Sequence, residues 1–178
     1  MAERCFRGGA VIMFYRIDDI PPGCSPDVKS ILARRTLGAL LAQYCGITVL
    51  PAIQVDDFGK PFFPSRHDIH FSLSHCESAV MAAVDSAPVG CDIEDIQSPP
   101  FAELLAVALS PEESRAVESS TAPGETFTAL WTRKESAVKR SGNIPDDPRQ
   151  WPSDDPFTQT GQTLRYVFSI SVSSPGEH

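Results

Sequence analysis

The chain has 178 residues, of which 42% are hydrophobic and 21% charged, enough apolar mass for a buried core and too much for a disordered chain. Fifteen Lys plus Arg stand against 23 Asp plus Glu, a net charge of −8, which excludes capture of nucleic acid or an anionic membrane by overall charge. No apolar run approaches the ~20 residues of a membrane span, the run 10–15 lacks a signal-peptide cleavage site, and five cysteines without Cys-x-x-Cys spacing read as reduced thiols of a cytoplasmic protein.

In chain order, 10–17 is apolar and β-branched, the pattern of a buried strand. Ser25 and Pro26 supply an N-cap and a first-turn proline. Ile31, Leu32, Leu37, Leu40, Leu41 and Tyr44 then recur at helical spacing until Gly46 stops the pattern, predicting a first helix. Short strands are expected at 52–55, 69–73, 79–84 and 89–93, between turns rich in Asp, Gly, Pro and Ser. Ser110, Pro111 and Glu113 form the signature of a capping box and predict a helix over 111–119. The longest helix is expected over 124–140, with Gly142 as its stop. Prolines and acidic residues make 143–157 irregular, and 164–172 reads as a last strand. Strand, helix, strands, helices and strand in that order predict an α+β fold in one domain, 1–178.

Asp92 and Glu94 lie two apart at a strand end, so the two-residue strand period points both carboxylates to one face. Two such charges call for a cation, and a set of carboxylate oxygens suits Mg²⁺. Read alone, an Asp-x-Glu strand end is a solvated edge. Glu135 and Lys139 share a helix face at i and i+4, either a surface ion pair or part of a charged site. Around them Arg133, Lys134, Lys139 and Arg140 make a locally basic segment in an acidic chain. Asp57-Phe58-Gly59-Lys60-Pro61 offers a glycine turn followed by a cation, a weak phosphate-binding hint. Ser72 and Ser74 point one way along their strand while His75 stands at its exit. His75 and Cys76 are adjacent, which prevents the side-by-side approach of a Cys-His catalytic pair, and His67, His70 and His178 have no evident acid partner.

These motifs and their order resemble the Sfp-type 4′-phosphopantetheinyl transferases. The matching segments are Arg34-Arg35-Thr36-Leu37-Gly38, Gly59-Lys60-Pro61, Phe71-Ser72-Leu73-Ser74-His75, Val89-Gly90-Cys91-Asp92-Ile93-Glu94, Leu109-Ser110-Pro111-Glu112-Glu113 and the run from Leu130 to Lys139. The resemblance implies a Mg²⁺-dependent enzyme that moves the phosphopantetheine arm of coenzyme A onto a serine of an apo acyl or peptidyl carrier protein and releases 3′,5′-ADP. It implies Asp92, Glu94 and Glu135 as metal ligands, and Glu135, Lys139 and Asp92 as the catalytic set, with Glu135 assisting deprotonation of the serine. Arg35, Lys60, Pro61, Ser74, His75 and Lys139 would hold coenzyme A. It also implies two similar α+β halves, 1–86 and 87–178, with the cofactor at their junction, in a monomer.

The chain departs from the family pattern in three places. Between Arg16 and Arg34 the only cation is Lys29, Cys76 stands where a serine is common, and Ser141-Gly142-Asn143 follows the helix. The cations Arg133, Lys134 and Arg140 beside Trp131 and Val138 are expected to form the carrier-docking patch, with 143–157 the next candidate. The rival readings are a non-catalytic relative that binds coenzyme A or a carrier protein, and a Mg²⁺-dependent hydrolase of nucleotide or pyrophosphate bonds.

Overall fold

In the computed structural model residues 2–7, 10–98 and 102–174 are described, with 2–7, 10–12 and 102 as backbone only. His178 therefore lies outside the described residues. Strands β1 (Ala2–Arg7) and β2 (Ala10–Asp19) are antiparallel neighbours. Helix α1 (Pro26–Cys45) follows, with the Ser25 side chain accepting from the amide of Val28 and Gly46 closing the other end at φ 67°. The small ladder of β3 (Gln54–Val55) and β4 (Pro61–Phe62) leads into β5 (His70–His75) and β6 (Ala79–Asp85). These close an antiparallel sheet of order β1-β2-β6-β5.

Strand β7 (Val89–Asp95) begins a second sheet, completed by β8 (Thr158–Gln162) and β9 (Tyr166–Val172) in the order β7-β9-β8, again antiparallel. Between β7 and β8 lie α2 (Ala102–Ala108), α3 (Pro111–Glu118), α4 (Pro123–Ser141) and a 3₁₀ turn (Pro148–Gln150). The capping box at Ser110 and Glu113 is formed in both directions. The mixed fold is α+β, as the sequence predicts. Beyond that prediction are β1, β4, β8 and α2, and the last strand starts at Tyr166 because Thr163 to Arg165 make a turn that leaves Leu164 fully exposed.

The layers run helix, sheet, sheet, helix, and alternation within the strands explains why. Every residue of β6 is buried. Its Ala82 and Val84 face Leu37, Leu40 and Leu41 of α1, while Ala79, Met81 and Ala83 face Val89, Cys91 and Ile93 of β7 and Ile170 of β9. A strand buried on both faces needs this apolar content at every position. The three α1 leucines are fully covered, each stabilising the fold by about 1.5 to 3 kcal/mol before the entropy of ordering is set against it. Residues 90, 92 and 94 of β7 project the other way, toward α4. Strands β5 and β7 lie side by side without a backbone ladder. The Ser72 hydroxyl instead accepts the amide proton of Cys91 at 3.0 Å, and that of Ser74 accepts from Ile93 at 3.4 Å. Among the described residues no helix is long and apolar enough to cross a membrane.

Candidate active site

The seam between β5 and β7 is where the polar side chains gather. Ser74 lies one residue before the end of β5, Asp92 and Glu94 share the α4-facing side of β7, and Glu135 and Lys139 stand one turn apart on α4. The Lys139 ammonium lies 2.6 Å from Asp92 Oδ1, 3.7 Å from Glu135 Oε2 and 3.4 Å from Ser74 Oγ. Ser74 donates its hydroxyl proton to the same Asp92 oxygen at 2.7 Å. Asp92 is 2% exposed, and its second oxygen has no hydrogen-bond partner among the described residues.

Charge follows from this crowding. Burial opposes the Lys139 cation, but Asp92 and Glu135 outweigh it and hold the ammonium above its ordinary pKa. Burial, with the like charge of Asp92 as the second cause, lifts Glu94 to about 7. Burial also raises Glu135, against the pull of Lys139. Three carboxylates thus face one ammonium, and Asp92 keeps a desolvated oxygen unused. Among the described residues no three Asp, Glu, His or Cys side chains are assembled into a ready metal cage, and the Lys139 ammonium pairs with both Asp92 and Glu135. The spare oxygen and the excess of negative charge fit a hard cation bound next to Lys139.

A cavity of about 450 Å³ opens on this cluster, walled by Arg34, Pro61, Ser74, His75 and the three carboxylates. Two more apolar spaces meet it. One, of about 360 Å³, has Glu135 and Lys139 at one end with Phe58, Ile144 and Trp151 along its walls. The other, of about 370 Å³, has Glu94 at one end with Leu104, Val107 and Trp131.

Several sequence expectations are relocated. The site wall takes Arg34, not Arg35: Arg34 sits one turn after Ser30, which also lines the cavity, while Arg35 is exposed about 100° further round α1. The pairing of Arg34 with Ser30 at i and i+4 was the available signal. Lys29 is engaged by Glu77. Lys60 lines the adjoining space with Glu135, Lys139 and Trp151 rather than the wall of Arg34 and His75, and its ammonium donates to the main-chain carbonyl of Arg140 at 2.6 Å.

The expected basic docking patch on α4 is overturned. Lys134 is fully buried, 2.7 Å from Glu113 and within 3.3 and 3.1 Å of the carbonyls of Ala108 and Pro148. Arg133 donates to the carbonyls of Ser153, Thr158 and Asp155, and Arg140 is tied to Asp155 at 2.9 Å and to the carbonyl of Val172. These three cations strap segment 143–160 onto α4 and the second sheet, so none is displayed for a partner.

Comparison with known proteins gives a consistent answer. The profile of the 4′-phosphopantetheinyl transferase superfamily matches residues 88–166. A 4′-phosphopantetheinyl transferase of Bacillus subtilis is 36% identical over 90 residues, 49% of this chain and 40% of its own length. The Sfp enzyme of Bacillus subtilis strain 168 is 35% identical over 88 residues, 48% of this chain and 39% of its own. The 4′-phosphopantetheinyl transferase AcpT of Salmonella typhimurium is 32% identical over 143 residues, 74% of this chain and 73% of its own. The chain therefore spans less than half the length of the two Bacillus relatives.

Proposed function

The chain belongs to the 4′-phosphopantetheinyl transferase superfamily, and on that premise we propose that it transfers the phosphopantetheine arm of coenzyme A to a serine of an apo carrier protein, releasing 3′,5′-ADP. The observation that carries this reading is the cluster of Asp92, Glu135 and Lys139 at the floor of a cavity edged by Arg34 and His75. Phosphoryl transfer needs neutralised charge and alignment rather than a covalent nucleophile, and this cluster has the residues for both.

The serine oxygen of the carrier attacks the phosphorus that bears the pantetheine arm, its proton passes to Glu135, and the bond to the oxygen of 3′,5′-ADP breaks. Burial raises the proton affinity of Glu135, which suits it to accept that proton. Lys139 holds the pyrophosphate as charge shifts to the leaving group, and Ser74 orients Asp92 through its hydroxyl. Asp92, Glu94 and Glu135 would hold Mg²⁺, which supplies positive charge to the pyrophosphate when bound. Arg34 and His75 suit the phosphates of the nucleotide. The apolar space beside Trp151 suits the uncharged pantetheine arm. Leu104 and Val107, 44% and 62% exposed beside Glu94, suit the apolar face of a docked carrier helix.

The arrangement also supports two pseudo-equivalent halves, 1–86 and 87–178. Each has one strand, a long helix and a hairpin whose second strand takes the centre: β2, α1, β5 and β6 in order β2-β6-β5, then β7, α4, β8 and β9 in order β7-β9-β8. The Ser74, Asp92 and Lys139 cluster lies where they meet, and the residues 86–88 link them. Incubation with coenzyme A, Mg²⁺ and a panel of apo carrier proteins, read by intact mass, tests the reading: a carrier gaining one phosphopantetheine is the expected result. If 3′,5′-ADP forms equally fast with no carrier present, the protein is a hydrolase instead.

A further inference from the structure

Helix α4 ends at Ser141, Gly142 turns the chain, and β8 does not begin until Thr158. The segment between them folds on itself. The Trp151 indole donates to the carbonyl of Pro145 at 2.9 Å, and the Asp147 side chain caps the 3₁₀ turn by accepting from the amide of Arg149 at 3.0 Å. Residues 142–154 fall within the roughly 6 to 16 residues of a compact Ω-loop, whose two ends lie close together. Here the ends are joined by an ion pair: Arg140, in the last turn of α4, lies 2.9 Å from Oδ2 of Asp155.

Asp155 is built to hold that contact. It is 9% exposed; its Oδ2 also accepts the hydroxyl protons of Ser171 and Thr158, each at 3.0 Å, and its Oδ1 accepts the amide proton of Phe157 at 3.0 Å. Burial works against the charge, but the Phe157 amide, the Ser171 hydroxyl and the Arg140 guanidinium outweigh it and hold the carboxyl below its ordinary pKa. Arg140 in turn donates to the carbonyl of Val172 at 2.7 Å, which fastens the pair to β9. A buried ion pair is weak evidence of stabilisation by itself, because desolvation offsets the attraction. Its position decides what it does. One charge stands at each end of a loop whose Ile144 and Trp151 line the apolar space ending on Glu135 and Lys139.

We infer that Arg140 and Asp155 form a clasp that closes the loop 142–154 over this apolar space, which makes Asp155 a positioning residue for the pantetheine arm of coenzyme A. That the space takes the arm rests on the transferase reading, whereas the clasp itself does not. Asp155 does not line the space and acts through Ile144 and Trp151. The wall of Arg34 and His75, which suits the nucleotide phosphates, includes no residue of the loop. Loosening the loop should therefore cost the arm and spare the nucleotide.

Coenzyme A and 3′,5′-ADP, which lacks the arm, separate these effects. Asp155→Asn keeps the shape and removes the charge; Arg140→Gln removes the other partner and serves in its place should Asp155→Asn fail to melt cooperatively. Hydrogen exchange of the Gln150 and Trp151 amides and calorimetric titration with each nucleotide in Mg²⁺ are read on the full chain. Loss of a charge-assisted bond should quicken that exchange about tenfold, with the amides of β6 unchanged. Affinity for coenzyme A should fall about tenfold while that for 3′,5′-ADP stays within about twofold, and in transfer assays KM for coenzyme A should rise with kcat nearly unchanged. The double variant should be no worse than Asp155→Asn alone, because the two residues act as one pair. Equal weakening of both nucleotides overturns the inference, since Asp155 would then support the whole site. Unchanged affinity for coenzyme A also overturns it, as do unchanged exchange in the loop and additive losses in the double variant. Should the wild-type protein bind both nucleotides yet transfer nothing to any carrier, the transferase reading fails, and exchange and calorimetry still decide the clasp.

Discussion

Gly90 brings β7 directly against the backbone of α4, and an added methyl group tests how far the site depends on that contact. A Cβ built there would lie 1.9 Å from the main-chain oxygen of Ser136 and 2.4 Å from the main-chain nitrogen of Arg140. Both atoms are helix backbone, so no flexible side chain can yield, and relieving the clash means parting strand from helix by about 1 Å or more. Asp92 lies two residues along the same strand and Lys139 one residue before Arg140, so the same movement stretches their 2.6 Å contact. Overpacking of this kind costs about 3 kcal/mol, at the upper end because both obstacles are rigid. For a chain of this size that lowers the melting temperature by roughly 6 to 12 °C. A misplacement near 1 Å reduces turnover by about 100-fold. Gly38→Ala, in α1 where nothing lies within 4 Å, is the control and should be neutral or slightly stabilising. Circular dichroism melts and intact-mass transfer assays, run well below the melting point, read both effects. A Gly90→Ala protein with wild-type melting and turnover would refute the argument that the β7–α4 contact sets the site.

Lys134→Met should destabilise the fold by about 3 kcal/mol in urea titrations, because Glu113 and several carbonyls lose a buried partner, and adding Glu113→Gln should recover part of the loss. Glu94 sits at about 7 against an ordinary 4.5, so the folded protein retains a proton there that the unfolded chain releases. Stability of the metal-free protein should therefore fall as pH rises from 4.5 to 7. Glu94→Gln should flatten that slope, melting higher than wild type in chelator at pH 8 with the gap closing toward pH 5, and an unaltered profile counts against the shift. Excess chelator, or Asp92→Ala in a protein that still melts cooperatively, should abolish transfer; retained activity in either condition removes the metal assignment. Leu104→Glu with Val107→Glu should raise KM for the carrier and leave KM for coenzyme A in place, and equal effects on both move docking elsewhere.

What could be read from the sequence was whatever local chemistry announces itself. Helix α1 carries its own start in Ser25-Pro26 and its own stop in Gly46, and α3 carries a complete capping box. Asp92 with Glu94, and Glu135 with Lys139, were placed correctly on their faces because strand and helix periods are short-range geometry. Edge strand β8 reads Thr-Gln-Thr-Gly-Gln and pairs on one side only, so no apolar alternation marks it. Seven-residue α2 completes too few turns for a period to emerge. The basic run on α4 misled for a physical reason. Neighbours on a helix diverge by about 100°, so Arg133, Lys134 and Glu135 meet three different environments, and a count of charges along the sequence cannot distinguish a patch from three internal ties. Lys60 raises the same difficulty at long range, because its partner lies 80 positions away.

The chain's two tryptophans, Trp131 on α4 and Trp151 after the 3₁₀ turn, stack with ring centroids 5.7 Å apart and planes at 26°. One indole faces the space that begins at Glu94 and the other the space that begins at Glu135. Rings this close couple their electronic transitions, so the pair behaves as a single chromophore with a near-ultraviolet circular dichroism signature and a shared emission. Filling either cavity perturbs one member of the pair, and twisting α4 against the 3₁₀ turn changes the angle between them. The molecule thus carries an intrinsic optical gauge between the two cavities, able to report occupancy and helix movement without a label.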